Sequence, residues 1–127
     1  MLPTFDIPPV GPHQAKVWGS TQLLFAHYGV ECHLIHFAKG RFCSKHRHEH
    51  KWNRFVVLEG SLSVEVFQTS GDFGADCTTI RSGQVTDVPP QTWHRFTGIE
   101  NGTALEFYWT MLEAGDIERA DVGGIVA

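Results

Sequence analysis

The chain has 127 residues, room for one domain of ordinary size. Hydrophobic residues make up 42% and charged residues 19%, which fits a folded core and excludes a disordered tail. A net charge of −4 without a dense basic stripe argues against nucleic acid as a partner, and no apolar run approaches the length of a membrane span.

Pro3, Pro8, Pro9 and Pro12 make residues 1–15 an extended, non-helical arm. Its start has neither the basic nor the apolar region of a secretion signal. From residue 20 onward, short apolar or aromatic runs alternate with turns. Gln22 to Tyr28 and Cys32 to Phe37 are predicted strands separated by Gly29. Lys39-Gly40 turns the chain into a predicted strand over Arg41 to His48. Phe55-Val56-Val57-Leu58 is apolar on both faces, the pattern of a strand covered on two sides. Leu62, Val64 and Val66 alternate strictly with Ser61, Ser63 and Glu65, and Ser70 to Gly74 reads as a loop. Further strands are expected over Thr78 to Arg81, Gln84 to Val88, Thr92 to Thr97 and Thr103 to Trp109. Helix is limited to a turn or two over Met111 to Glu118, where Gly115 weakens it. Regular short strands with Gly or Pro between them predict a single all-β domain, an antiparallel sandwich or barrel.

Cys32, Cys43 and Cys77 form no CxxC and cannot all pair, which points to a reducing, cytoplasmic setting and buried thiols. Histidine is the unusual residue: there are eight, against ten Lys plus Arg. On a strand, residues i and i+2 face the same way, so His46 and His48 converge on one point inside a barrel. His94, on a distant predicted strand after Pro89-Pro90, supplies a third imidazole. A helical pairing of His46 with His50 is rejected, since a β-type run follows closely and no HExxH is present. Neutral imidazoles suit zinc, iron, manganese or nickel better than magnesium.

The stretch Gly40-x5-His46-x-His48-x4-Asn53-x6-Gly60 resembles the first motif of the cupin superfamily, G-x5-HxH-x3-4-E-x6-G. Gly83-x5-Pro89-x4-His94 resembles the second, G-x5-P-x-G-x2-H-x3-N. Two departures stand out. Asn53 occupies the place of the usual metal-binding Glu, and Gln91 and Gly98 replace the expected Gly and Asn. A narrower resemblance is to the cupin domain of type II mannose-6-phosphate isomerases. It is carried by Lys16-Val17-Trp18-Gly19, by His46 and His48 followed by Lys51, by Ala104-Leu105-Glu106-Phe107, and by the closing segment Asp116 to Gly124. The resemblance implies a single jelly-roll barrel, one divalent metal on His46, His48, His94 and Asn53, and aldose–ketose isomerisation of a phosphorylated sugar.

Such a reaction moves a proton between adjacent carbons, which takes a Lewis acid and a base of tuned pKa. Glu106, Lys51 and His50 are the candidate bases, with Glu106 and Lys51 favoured. Ala104, Glu106 and Tyr108 share one face of their strand, and Leu105, Phe107 and Trp109 the other. The bulky second set is expected to pack between sheets, which leaves Glu106 for the lumen. Arg119 is the candidate clamp for a phosphate or carboxylate, with His50 as a second substrate contact. Two alternatives stay open. Three His without a carboxylate also resemble iron cupins such as the thiol dioxygenases, for which Tyr28, Tyr108 and Cys43 are nearby types. A non-catalytic sugar-binding cupin would use Trp52, Trp93 or Trp109, although alternation turns Trp93 away from His94. The expected partners are a small molecule and, because long edge strands tend to be covered, a second copy of the chain as a homodimer.

Overall fold

A computed structural model of the chain describes residues 1–4, 11, 13–110, 115–116, 118–120 and 122–126. Among the described residues there are nine strands: β1 His13–Lys16, β2 Gly19–His27, β3 Val30–Phe37, β4 Trp52–Glu59, β5 Ser61–Phe67, β6 Asp76–Arg81, β7 Val85–Val88, β8 Trp93–Gly98 and β9 Gly102–Trp109. No helix occurs among the described residues, and the turn or two expected over Met111 to Glu118 falls largely outside them. No helix there is long and apolar enough to cross a membrane.

The strands form two sheets, a large one in the order β1-β2-β3-β9-β4-β7 and a small one in the order β6-β5-β8. Every strand pair is antiparallel. The end of the expected arm is thus structured, since His13 to Lys16 pair with Gln22 to Gly19 along the edge of the large sheet.

The expected strand over Arg41 to His48 is not a regular one. It runs beside β8 through isolated bridges, Phe42 with Thr97 and His46 with His94, and its register slips by one residue between them. Local side-chain bonds explain the slip, because they take ladder partners. The Cys43 sulfur accepts the Phe96 N–H at 3.2 Å, and the Ser44 carbonyl accepts from the His46 ring at 2.7 Å. At the foot of this run Gly98 lies so close to residue 38 that an added Cβ would meet the Ala38 carbonyl, which accounts for glycine where the motif has Asn.

Inside the barrel the strands are graded from polar to apolar along their inward faces. His33 leads to Ile35 and Phe37, Asn53 to Phe55 and Val57, His94 to Phe96, and Glu106 to Ala104. Ile35, Ala104 and Val57 align across β3, β9 and β4, and Leu62, Val64, Ile80 and Val88 close the core. Phe96 meets Trp18 and Phe55 edge-on, with ring centroids 4.8 Å and 5.7 Å away. Each such buried side chain contributes roughly 1.5–3 kcal/mol, so the apolar end is the anchor on which the polar end is held.

The outer face of the large sheet departs from the expected pattern. Leu105, Phe107 and Trp109 point outward, not between the sheets, and Leu58 is 43% exposed where two-sided cover was expected. The outer face of the small sheet is polar but covered, with buried Ser63 between Thr79 and Thr97 and buried Glu65 between Cys77 and Arg95.

Candidate metal centre

His46 and His94 face each other as a reciprocal backbone pair, each N–H donating to the other's carbonyl at 2.9 Å. That exchange sets their rings side by side, with centroids 4.5 Å apart. The His48 ring lies 5.0 Å from that of His46 and 5.6 Å from that of His94. One ring nitrogen from each of the three falls within 4.8 Å of the other two. The expected i, i+2 convergence therefore holds although the run is not a regular strand.

The tautomers are set by backbone carbonyls. His94 Nδ1–H donates to Thr92 O at 2.8 Å and His46 Nδ1–H to Ser44 O at 2.7 Å, which leaves both Nε2 atoms as bare acceptors. His48 Nε2 is buried with no hydrogen-bond partner. Burial pushes the His94 pKa down to about 4 and lowers that of His48, with the neighbouring imidazoles adding to both shifts. At neutral pH these two rings are neutral, the form that ligates a metal.

Asn53 is fully buried beside them. Its Nδ2 donates to Phe107 O at 3.2 Å and to Glu106 Oε2 at 3.4 Å, so its Oδ1 is the atom that faces His94 Nε2, 3.2 Å away. Two acceptors meet there with no proton between them. Together with the orphaned His48 Nε2, this is a donor set that a cation satisfies and an empty pocket does not. The residues fit a divalent transition metal.

Glu106 lies behind the amide, 9% exposed, on the inward face of β9 as expected. Burial raises its pKa, opposed by the Tyr108 hydroxyl and the Asn53 amide. A cavity of about 440 Å³ is shared by this acid and one ring of the cluster, and is lined by His46, Ser44, Cys43, His33, Glu106 and Tyr108, with Lys16 and Gln14 of β1 at its edge. It adjoins a chamber of about 130 Å³ between Gln14, Thr21, Leu23 and His33. His33 was not anticipated as a site residue. Its parity with Ile35 and Phe37, both buried, was the signal that turns it inward, where it pairs across strands with Glu106. Its Nε2 stands 3.1 Å from Glu31.

The other expected residues lie outside this group. Lys51 is half-exposed, 3.7 Å from Glu31 and over the Tyr108 ring, in a separate cleft with Tyr28 and Val30. His50 is exposed beside Glu49, and Arg119 is exposed on the segment after β9. Trp93 packs under Arg47, away from the cluster, as alternation requires.

Neither a protein-family model nor a curated protein matches the sequence. Solved structures do match in shape. An RmlC-like cupin from Shewanella frigidimarina aligns with a TM-score of 0.66 over 87% of this chain and 91% of that one, at 20% identity. The fold is a cupin barrel. KdgF from Halomonas sp. aligns with a TM-score of 0.65, over 80% of this chain and 90% of that chain, at 15% identity. A variant of oxalate decarboxylase from Bacillus subtilis gives 0.68 over 84% of this chain and 29% of that chain, at 13% identity. At these identities the likeness carries the cupin fold alone, and it does not single out the mannose-6-phosphate isomerases.

The buried neutral imidazoles make a prediction about stability. His94 has a folded pKa of about 4 against an ordinary value of 6.5, so between those limits the unfolded chain binds more protons. Metal-free stability should therefore fall as pH drops from 6.5 to 4, with His94 contributing up to about 1.4 kcal/mol per pH unit. His48 acts in the same direction, and Glu106, whose pKa is raised, acts in the opposite one above pH 4.5. Denaturant titrations of the metal-free protein and of His94→Gln across this range isolate the His94 share. A shallower slope in the variant is expected, and equal slopes would contradict the assignment.

Proposed function

We propose that this cupin is a metal-dependent enzyme that transfers a proton on a small, oxygen-rich substrate, with a sugar or sugar phosphate as the favoured class and His46, His48, His94 and Asn53 as the metal ligands. The observation that carries this reading is Glu106, a buried carboxyl that lines one cavity with His46 of the cluster and is bonded to the Asn53 amide whose oxygen faces His94. A divalent ion bound there supplies a Lewis acid that polarises a substrate carbonyl or hydroxyl oxygen.

The remaining work falls to the chain's own groups. Glu106, with its pKa raised, exchanges protons nearer neutrality than an exposed glutamate does, which suits a general acid and base. In an aldose–ketose conversion it takes the proton from one carbon and returns it to the neighbouring one while the hydroxyl proton passes between the two substrate oxygens, with no net oxidation. Asn53 Nδ2 holds the carboxylate in place, and the Tyr108 hydroxyl shares that task. Gln14, Thr21 and His33 offer hydrogen bonds to hydroxyl groups, and Lys16 offers charge to an anionic end. The volume of about 440 Å³ suits a ligand of sugar size.

One observation favours a second reading, an iron dioxygenase of a small thiol or enediol. Asn53 supplies a dipole and no charge, so a dication on three imidazoles and an amide keeps its charge and draws an anionic ligand.

We also propose a homodimer through the outer face of the large sheet. Three apolar rows cross that face: Val30, Trp109 and Trp52; Cys32, Phe107 and Arg54; Leu34, Leu105, Val56 and Val85. Its one central cation, Arg54, is already neutralised by Asp87 at 2.6 Å and 2.8 Å, so the patch is self-compatible in charge. Trp52 and Trp109 lie stacked, 16° from parallel, at its end.

Protein purified without a histidine tag should carry about one transition-metal ion per chain, and His46→Ala, His48→Ala or His94→Ala should each remove it. Glu106→Gln should keep the ion but lose about 10²- to 10⁴-fold in turnover of the phosphosugar that a screen identifies. Retention of metal by all three alanine variants, or full activity in Glu106→Gln, would sink the proposal; oxygen uptake with thiols in place of sugar conversion would favour the second reading. For the dimer, light scattering should give twice the 14.2 kDa chain mass for the wild type and a monomer for Phe107→Lys. A monomeric wild type would contradict that part.

A further inference from the structure

Gln91 is one of two non-glycine residues with positive φ among the described residues, at +63°. It sits in the turn after Pro89-Pro90, where the motif has a glycine. The other, Tyr28 at +42°, lies in the β2–β3 turn next to Gly29. A left-handed backbone is costly for a side chain such as glutamine, which gains nothing locally from it. Strain of this kind persists where the surroundings hold it, and often beside a functional site.

What holds it is the loop that carries the metal ligands. The Gln91 N–H donates to His48 O at 2.7 Å, and the Gln91 Nε2 donates to Glu49 O at 3.1 Å. Two consecutive carbonyls of that loop are thus tied to one residue of the β7–β8 turn. The three histidines differ in how much they need such a tie. His46 and His94 each have a ring N–H locked onto a backbone carbonyl and share the reciprocal backbone pair. No hydrogen bond fixes the His48 ring; it is held by ring packing against His46, His94 and Tyr108 and by its own backbone.

We propose that Gln91 is a positioning residue for His48: its left-handed turn and its side-chain amide together clamp residues 48–49, and so aim the one imidazole that lacks a lock of its own. A glycine at this position would relax the turn but leave the Glu49 carbonyl without its donor. Gln91 thus trades local backbone comfort for a preset ligand loop. The inference rests on the metal reading above, and it concerns only how the third ligand is held.

The test compares wild type with Gln91→Gly, which relieves the backbone and removes the amide, and Gln91→Glu, which keeps size and φ but replaces the donor with an acceptor facing Glu49 O. In the metal-free protein, imidazole NMR signals should broaden or shift for His48 in both variants and stay in place for His94. Co²⁺ titration should show affinity weakened about tenfold in each, the low end for outer contacts to a ligand. Thermal melting of metal-free Gln91→Gly should be at or above that of wild type, which a merely structural role would not produce. Unchanged His48 signals with wild-type Co²⁺ affinity in Gln91→Gly would overturn the inference, as would a melting point well below wild type. Wild-type protein that takes up no Co²⁺ would instead defeat the metal reading, while the metal-free His48 signals would still report on the clamp.

Discussion

Four potential ligand atoms converge at one end of this barrel: one ring nitrogen on each of three imidazoles and the Asn53 amide oxygen. No protein donor reaches three of them, His48 Nε2 and the facing pair His94 Nε2 and Asn53 Oδ1, and a buried acceptor without a donor costs about 1–3 kcal/mol. The arrangement is sustained because two of the rings are presented by something stronger. His46 and His94 are clamped by carbonyl-bound Nδ1–H groups and by each other's backbone. Protonation would relieve the frustration, but burial makes it unfavourable for His94 down to about pH 4. A cation is the species that relieves it.

The rest of the structure follows from having to support such a cluster. The four strands that carry His33, Asn53, His94 and Glu106 run, within two or four residues, into the tightly packed apolar end. Phe55 and Val57 anchor Asn53, Phe96 anchors His94, Ile35 and Phe37 anchor His33, and Ala104 anchors Glu106. The polar groups therefore ride on rigid elements, which suits a site whose geometry must be preset. Glu106 is coupled to the cluster through one amide, so the residue that replaces the usual carboxylate also orients the acid that serves the cavity.

Much of this was legible in the residues. His46, His48 and His94 are marked by alternation and by the spacing after Pro89, and both survive the loss of a regular strand. The irregularity itself was hidden, because it arises from Cys43 and Ser44 giving local partners to the ladder, a tertiary event with no periodic trace. The face of β9 was misleading: bulk suggested that Leu105, Phe107 and Trp109 were core, whereas they form an outer apolar surface. Glu106 points inward all the same, because parity binds it to Ala104. His33 carried the same parity signal with Ile35 and Phe37 but no motif, and Lys16 and Gln14 reach the cavity only through pairing of β1 with β2. Lys51, His50 and Arg119 lie outside the cavity that His46 and Glu106 share.

The convergence of acceptors is tested most directly by anomalous diffraction from crystals of the protein loaded with Co²⁺ or Zn²⁺. One ion is expected, bonded to Nε2 of His46, His48 and His94, with the oxygen of Asn53 turned toward it and Nδ2 still on Phe107 O. An ion bound elsewhere, or an Asn53 that turns its Nδ2 to the cluster in the loaded protein, would contradict it.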